Sequence, residues 1–153
     1  MVFRRCSLYE ELHRQRAVDT LTKAQRSERM SRVRAKDTKP ELTVRMLAHA
    51  MGFRYRLHVR GLPGNPDMVF PGRGKIIFVH GCFWHRHGKC NKTRWPKSKL
   101  DFWRPKLEAN RARDTANRRS LRKLGWEVLV VWECQLKNLE KTAEKIERFL
   151  MDR

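Results

Sequence analysis

Apolar and polar positions along the 153-residue chain fall into blocks with different periods. The first twenty residues show weak periodicity and no core face, so residues 1–20 read as a basic arm. From Leu21 to Lys36 the spaced Leu21, Ala24, Met30 and Val33 form a thin stripe. That stripe fits either a helix lying on the domain or an arm that orders on a partner. The first strong pattern begins at Thr38-Lys39-Pro40-Glu41. Thr38 can cap a helix while Glu41 reaches back to its amide, and Pro40 is harmless in a first turn. Leu42, Met46, Leu47, Ala50 and Met51 follow at helical spacing, and Gly52 suits a left-handed stop. Phe53, Tyr55, Leu57 and Val59 then alternate with Arg54, Arg56 and His58, which predicts a half-exposed strand with a basic outer face.

The turn cluster Leu62-Pro63-Gly64-Asn65-Pro66 delivers Asp67 into the apolar Met68-Val69-Phe70. Pro71 to Gly74 reverses the chain into Lys75-Ile76-Ile77-Phe78-Val79, so a hairpin is expected here. His80 to Pro96 is a loop rich in His, Cys and Trp. From Leu100 to Lys123 a charged helix is expected, with Leu107, Ala109, Ala112, Ala116, Leu121 and Leu124 as its apolar set and Pro105 clouding its start. Gly125 ends it. Glu127 to Trp132, apolar on both faces, reads as a central strand. Leu139, Ala143, Ile146, Phe149 and Leu150 close the chain with an amphipathic helix. The order predicts a mixed α/β layer fold, a central sheet flanked by helices, with residues 21–153 as one domain.

Charge changes this picture more than composition does. Lys and Arg total 36 against 16 Asp and Glu, a formal net charge of +20. Such an excess seeks a polyanion, and nucleic acid is the usual one. With 40% hydrophobic residues, five Trp and seven Phe, the chain builds a core and is no disordered tail. No apolar run approaches the roughly 20 residues that span a bilayer. No signal-peptide core follows Met1, so a cytoplasmic protein is expected.

Three constellations carry candidate chemistry. Cys82, His87 and Cys90 share one short loop, and Cys134 follows the strand at 127–132; three thiolates and an imidazole make a closed tetrahedral zinc set. The plainer alternative is three unrelated cysteines, one of them a small core residue. His80 and His85 lie close enough in sequence to compete for the imidazole place. Asp67, at the start of a hairpin whose second strand leads to His80, can hold a hard cation such as Mg2+ for phosphodiester chemistry, or it is simply a turn residue. Phe83-Trp84 and Phe102-Trp103 either roof the core or stack on bases.

These strings together resemble one family. Leu62 to Asp67, Ile77-Phe78-Val79-His80-Gly81-Cys82-Phe83-Trp84-His85, and Leu124 to Cys134 are similar to the very-short-patch repair (Vsr) endonucleases. So are Ser27 to Ser31, Thr38 to Glu41 and Phe102-Trp103. The resemblance runs from about residue 21 onward.

It implies a fold like that of type II restriction endonucleases and a Mg2+-dependent single-strand nick. The cut falls 5′ to the mismatched thymine of T:G pairs, which arise when 5-methylcytosine deaminates. It assigns Asp67 as the catalytic carboxylate and the main-chain carbonyl of Val79 as the second Mg2+ contact. Val stands where the family usually has Thr. His85 matches the histidine that activates water, and Glu41 and His80 match residues that hold metal-bound waters. Cys82, His87, Cys90 and Cys134 match structural Zn2+ ligands, while Met30, Phe83, Trp84 and Trp103 match residues that enter or support an opened base stack. The implied partner is double-stranded DNA with a T:G mismatch. The resemblance further implies a cytosine-5 methyltransferase and mismatch-repair proteins as functional associates, and a monomer with no membrane partner is expected. Two rivals are a restriction-like endonuclease of the same fold with another DNA specificity and a non-catalytic zinc module that binds nucleic acid.

Overall fold

The computed structural model describes residues 22, 24, 25, 28, 36–88, 90–96 and 99–152. Residues 1–20 and Met30 lie outside them. The chain divides into two compact units, residues 1–35 and 36–153. In the first, Thr22 and Gln25 exchange reciprocal side-chain to backbone hydrogen bonds of 2.9 and 3.2 Å, a capping box that opens a helical turn.

In the second unit, the helix expected after Thr38 forms as α1 (Lys39–Ala50), ending before Gly52 at φ +84°. Its start differs in detail from the expected cap. Thr38 makes no side-chain bond to the helix backbone; its hydroxyl donates to Glu41 Oε1 at 2.8 Å, and Glu41 Oε2 accepts from the Asp37 amide at 2.9 Å. The buried face is also rotated. It consists of Glu41, Val44, Arg45 and Ala48, whereas Leu42 and Met46 are exposed.

The strand expected at 53–59 does not form. Arg56 pairs with Val69 as a single antiparallel bridge, and His58 at φ +52° turns the chain out of extended backbone. Half of the predicted pattern survives: Phe53 is buried and Tyr55 half-buried, while Arg54 and Arg56 are exposed. The hairpin is as read. β1 (Met68–Phe70) runs antiparallel to β2 (Lys75–His80) across a 3-10 turn at Pro71–Arg73. β3 (Glu127–Trp132) pairs in parallel with β2, giving the order β1-β2-β3. β2, not β3, is therefore the central strand among the described residues. Hydrophobicity on both faces marks a strand covered by helices on both sides, which an edge strand can also be.

Alternation along β2 separates two cores. Ile77, with Met68, Phe70 and Val131, packs against Val44 and Ala48 of α1 and against Ile146 and Leu150 of α3 (Leu139–Met151). Ile76 and Phe78, with Val69, face the other way, toward Leu121 of α2 (Leu100–Lys123). The result is three layers, helix on sheet on helix. Pro105 lies inside α2, where its missing amide forgoes one bond of the ladder. Gly64, at φ +81°, lies so close to α2 that a Cβ there would sit 2.8 Å from Asn117 Nδ2. Lys75 is buried in β2, and its ammonium donates to the carbonyls of Phe149 and Asp152, both at 2.6 Å. That cation satisfies the C-terminal end of α3 where its dipole is negative.

The inward stripe of α2 is not the expected one. Ala109, Ala112, Ala116 and Leu124 are exposed. The positions turned inward are Trp103, Leu107, Asn110, Asp114, Asn117 and Leu121, three of them polar. No helix among the described residues is long and apolar enough to cross a membrane.

Candidate active site and metal centre

Asp67 arrives one residue before β1, and its Oδ2 accepts a 2.7 Å hydrogen bond from the Val79 amide of β2. The side chain thus takes the place of a ladder partner just beyond β1. A strand residue turns its N–H and C=O to the same side, so the Val79 carbonyl faces the side on which Asp67 sits. Burial pushes the Asp67 carboxyl up to about 6. The Val79 hydrogen bond opposes this shift, the Glu41 carboxylate adds to it, and Arg45 and His85 act against it. The structure therefore brings Asp67, Glu41 and His85 into one electrostatic neighbourhood.

His80 ends β2 and is 6% exposed. Burial, followed by the neighbouring His85, lowers its pKa to about 4, so its ring is neutral at pH 7. The His80 and His85 rings stack at 3.9 Å, 12° from parallel. His85 Nδ1 pairs with Asp114 Oδ2 of α2 at 2.5 Å. Burial opposes ionisation of Asp114, but the His85 hydrogen bond and charge hold its carboxyl below the ordinary value.

Asp114 was not among the expected site residues. The sequence signal was present: Trp103, Leu107, Asn110, Asp114, Asn117 and Leu121 recur every three or four residues, one face of a helix. His80, His85 and Asp114 have ligand atoms within 4.8 Å of one another. Stacked imidazoles, however, point their lone pairs side by side instead of at a common ion. The trio is a hydrogen-bonded His85–Asp114 pair with the His80 ring stacked against it.

Cys82, His87, Cys90 and Cys134 converge as the spacing suggested, with all four ligand atoms within 4.8 Å of one another. His87 Nδ1 lies 3.8 Å from Cys82 Sγ and 3.4 Å from Cys134 Sγ. A tetrahedral zinc with bonds of about 2.1–2.3 Å has ligand-to-ligand edges of roughly 3.4–3.8 Å, so the donor set fits that ion in chemistry and size. Burial pushes the Cys82 thiol up to about 12. A bound cation would share the charge that burial denies Cys82, whereas the Lys92 backbone hydrogen bond lowers the Cys90 thiol. Trp132 links this cluster to the other: its ring stacks on His87 at 4.2 Å and meets His80 edge-on at 5.3 Å.

The aromatic set is also assembled. Phe83 and Trp84 contact Trp103 at centroid distances of 5.9 and 6.0 Å, and Asn110 of α2 donates to the Trp84 carbonyl at 3.4 Å. Phe102, 57% exposed, extends the cluster outward, with the Lys106 ammonium 5.4 Å from its ring centre. The loop residues 83–85 thus set Phe83 and Trp84 against Trp103 and His85 against His80 at the end of β2.

The sequence model described as DNA mismatch endonuclease Vsr matches residues 18–92. Over 132 residues the chain is 49% identical to the type II nicking enzyme V.XorIIP of Xanthomonas oryzae pv. oryzae, covering 86% of this chain and 96% of that protein. It is 38% identical over 127 residues to the DNA mismatch endonuclease Vsr of Escherichia coli, covering 83% and 81%. Among solved structures, the catalytic domain of the homing endonuclease I-Bth0305I superposes with a TM-score of 0.50 at 22% identity. That match covers 74% of this chain and 94% of that one, a likeness of fold.

Proposed function

The chain belongs to the Vsr family of DNA endonucleases, and from that premise we propose that it makes a Mg2+-dependent nick in one strand of duplex DNA, 5′ to the thymine of a T:G mispair. The observation that supports this best is Asp67 held by the Val79 amide, within electrostatic reach of Glu41 and the His85–Asp114 pair. The Asp67 carboxylate and the Val79 main-chain carbonyl are oxygen donors of the kind a hard cation takes, with Glu41 placed to hold its bound water. Mg2+ bound there supplies stabilisation of charge developing on the scissile phosphate.

The protein's own residues do the rest. Asp114 accepts from His85 Nδ1, which fixes the tautomer and leaves Nε2 to take a proton from the attacking water. His80, neutral and stacked beneath, holds the His85 ring in place, and it orients water with Glu41. Phe83, Trp84 and Trp103, with Met30 from outside the described residues, wedge between bases. A mispair stacks poorly, so the wedge costs less there than at a matched pair. The Cys82, His87, Cys90 and Cys134 set holds Zn2+ and fixes the loop that carries the wedge.

A second reading, favoured by relatives named type II nicking enzymes, is strand nicking with another DNA specificity. One experiment separates the two: strand-specific nicking of duplexes carrying T:G in varied contexts, matched controls beside them, with and without Mg2+. Nicking confined to T:G duplexes supports the first reading. Equal nicking of matched duplexes overturns it in favour of the second.

A further inference from the structure

Arg45 is buried on the inner face of α1, 8% exposed, with its guanidinium paired to two carboxylates. Its Nη2 donates to Glu41 Oε2 at 3.2 Å and its Nη1 to Asp37 Oδ1 at 2.5 Å, while Nε has no hydrogen-bond partner among the described residues. Burying a guanidinium is costly, and exchanging such a pair for apolar side chains is often neutral or stabilising. Stability alone does not explain its presence.

The bonds on Glu41 give the reason. A carboxylate offers about four lone pairs. On Oε2, one accepts from the Asp37 amide and the other from Arg45; on Oε1, one accepts from the Thr38 hydroxyl. One acceptor position on Oε1 is left. With three donors fixed, the carboxylate cannot rotate, and the remaining lone pair has a single direction.

We propose that Arg45 is a positioning residue, whose fork sets the direction of the remaining Glu41 lone pair at the metal site. This rests on the reading of Glu41 as a residue that orients water beside Mg2+. Coulomb's law and orientation make opposite predictions. If Arg45 acts only as a nearby positive charge, removing it tightens binding of a divalent cation. If it acts by aiming Glu41, removing it weakens that binding, by about 10–100-fold as for other residues that orient metal ligands.

The test is a double-mutant cycle of Arg45→Met and Glu41→Gln in the zinc-loaded protein. Mn2+ affinity is read by electron paramagnetic resonance with and without T:G duplex, beside the Mg2+ concentration for half-maximal nicking. Arg45→Met is expected to weaken Mn2+ binding and raise the Mg2+ requirement about 10–100-fold with DNA affinity unchanged. In the Glu41→Gln background it should have little further effect. Unchanged or tighter Mn2+ binding, or effects that simply add, would overturn the proposal. Wild-type metal dependence in Glu41→Gln alone would instead overturn the reading of Glu41. Should Arg45→Met fail to fold, Thr38→Val releases another tether on the same carboxylate, and Arg45→Lys keeps the charge without the fork. Both enter the same cycle: both should weaken Mn2+ binding, and wild-type affinity in both would count against the proposal.

Discussion

Burial acts on Asp67 and His80 in the same sense, toward neutrality, but for groups of opposite charge type. Asp67 has a folded pKa of about 6 against an ordinary value of 3.8, so the folded state binds the proton more tightly. Its contribution to stability is present below pH 3.8 and lost as pH rises through 6. His80 has a folded pKa of about 4 against 6.5. Its folded state binds protons less tightly, so stability falls as pH drops from about 6.5 to 4. The two slopes oppose each other across most of this window. Asp67→Asn should therefore raise stability at pH 7.5, without added Mg2+, by on the order of 2 kcal/mol, with the gain vanishing by pH 4. Thermal melts across this range check both the sign and the window.

At the same scale, His85→Ala should slow nicking about 10²–10⁴-fold, as loss of a general base does. Asp114→Asn should slow it too, since an amide can present its N–H to Nδ1 and select the wrong tautomer. Single-turnover rates at saturating Mg2+ decide this, and an Asp114→Asn rate equal to wild type would remove Asp114 from the mechanism.

Among the elements, the loop from Gly81 to Pro96 depends most on something other than packing. Outside Cys82 its described residues bury little, and it is tied to the rest of the fold by side-chain bonds: His85 to Asp114, Lys92 to Glu133, and Asn110 to the Trp84 carbonyl. One zinc per chain is expected by metal analysis. Cys134→Ser should lower the melting temperature and expose this loop to protease while the β1–β2 hairpin stays protected. A metal-free protein with an equally protected loop would refute the role given to the cluster.

The same elements show what could be read from the sequence. Turn chemistry and short-range spacing point to the hairpin, the closing helix and a meeting of Cys82, Cys90 and Cys134 with one of three nearby imidazoles; the structure brings His87 to the three thiols. Helix faces were misread. The hydrophobic pattern turns Leu42 and Met46 of α1, and Ala109, Ala112 and Ala116 of α2, inward because they are apolar. The inward faces instead carry Glu41 and Arg45 in one helix, and Asn110, Asp114 and Asn117 in the other. A polar residue turned inward to serve a site is invisible to a hydrophobic pattern unless its partner is known. The partner of Asp114 is His85, on a loop 29 residues away.

For the molecule as a whole, the net charge of +20 is the governing quantity. For about 6–10 phosphate contacts, DNA affinity should fall by on the order of 10³–10⁵ between 50 and 200 mM salt. Binding titrations on matched duplex test this without requiring any cleavage, and a nearly flat response would leave the basic surface without its assigned partner.

Lys75 sets a condition on how the molecule comes into being. Its ammonium lies within the central strand, and the carbonyls that receive it come from residues 74 and 77 positions later. On the ribosome, the hairpin with Asp67 and His85 emerges long before those acceptors exist, and β2 until then carries a cation with nowhere to bury it. Glu127 of β3 offers the cation a first partner at 3.5 Å, and the full set is complete only with residues 149–152. A chain truncated before α3 is therefore expected to lose hydrogen-exchange protection across β1 and β2, because its buried cation has lost both carbonyl acceptors.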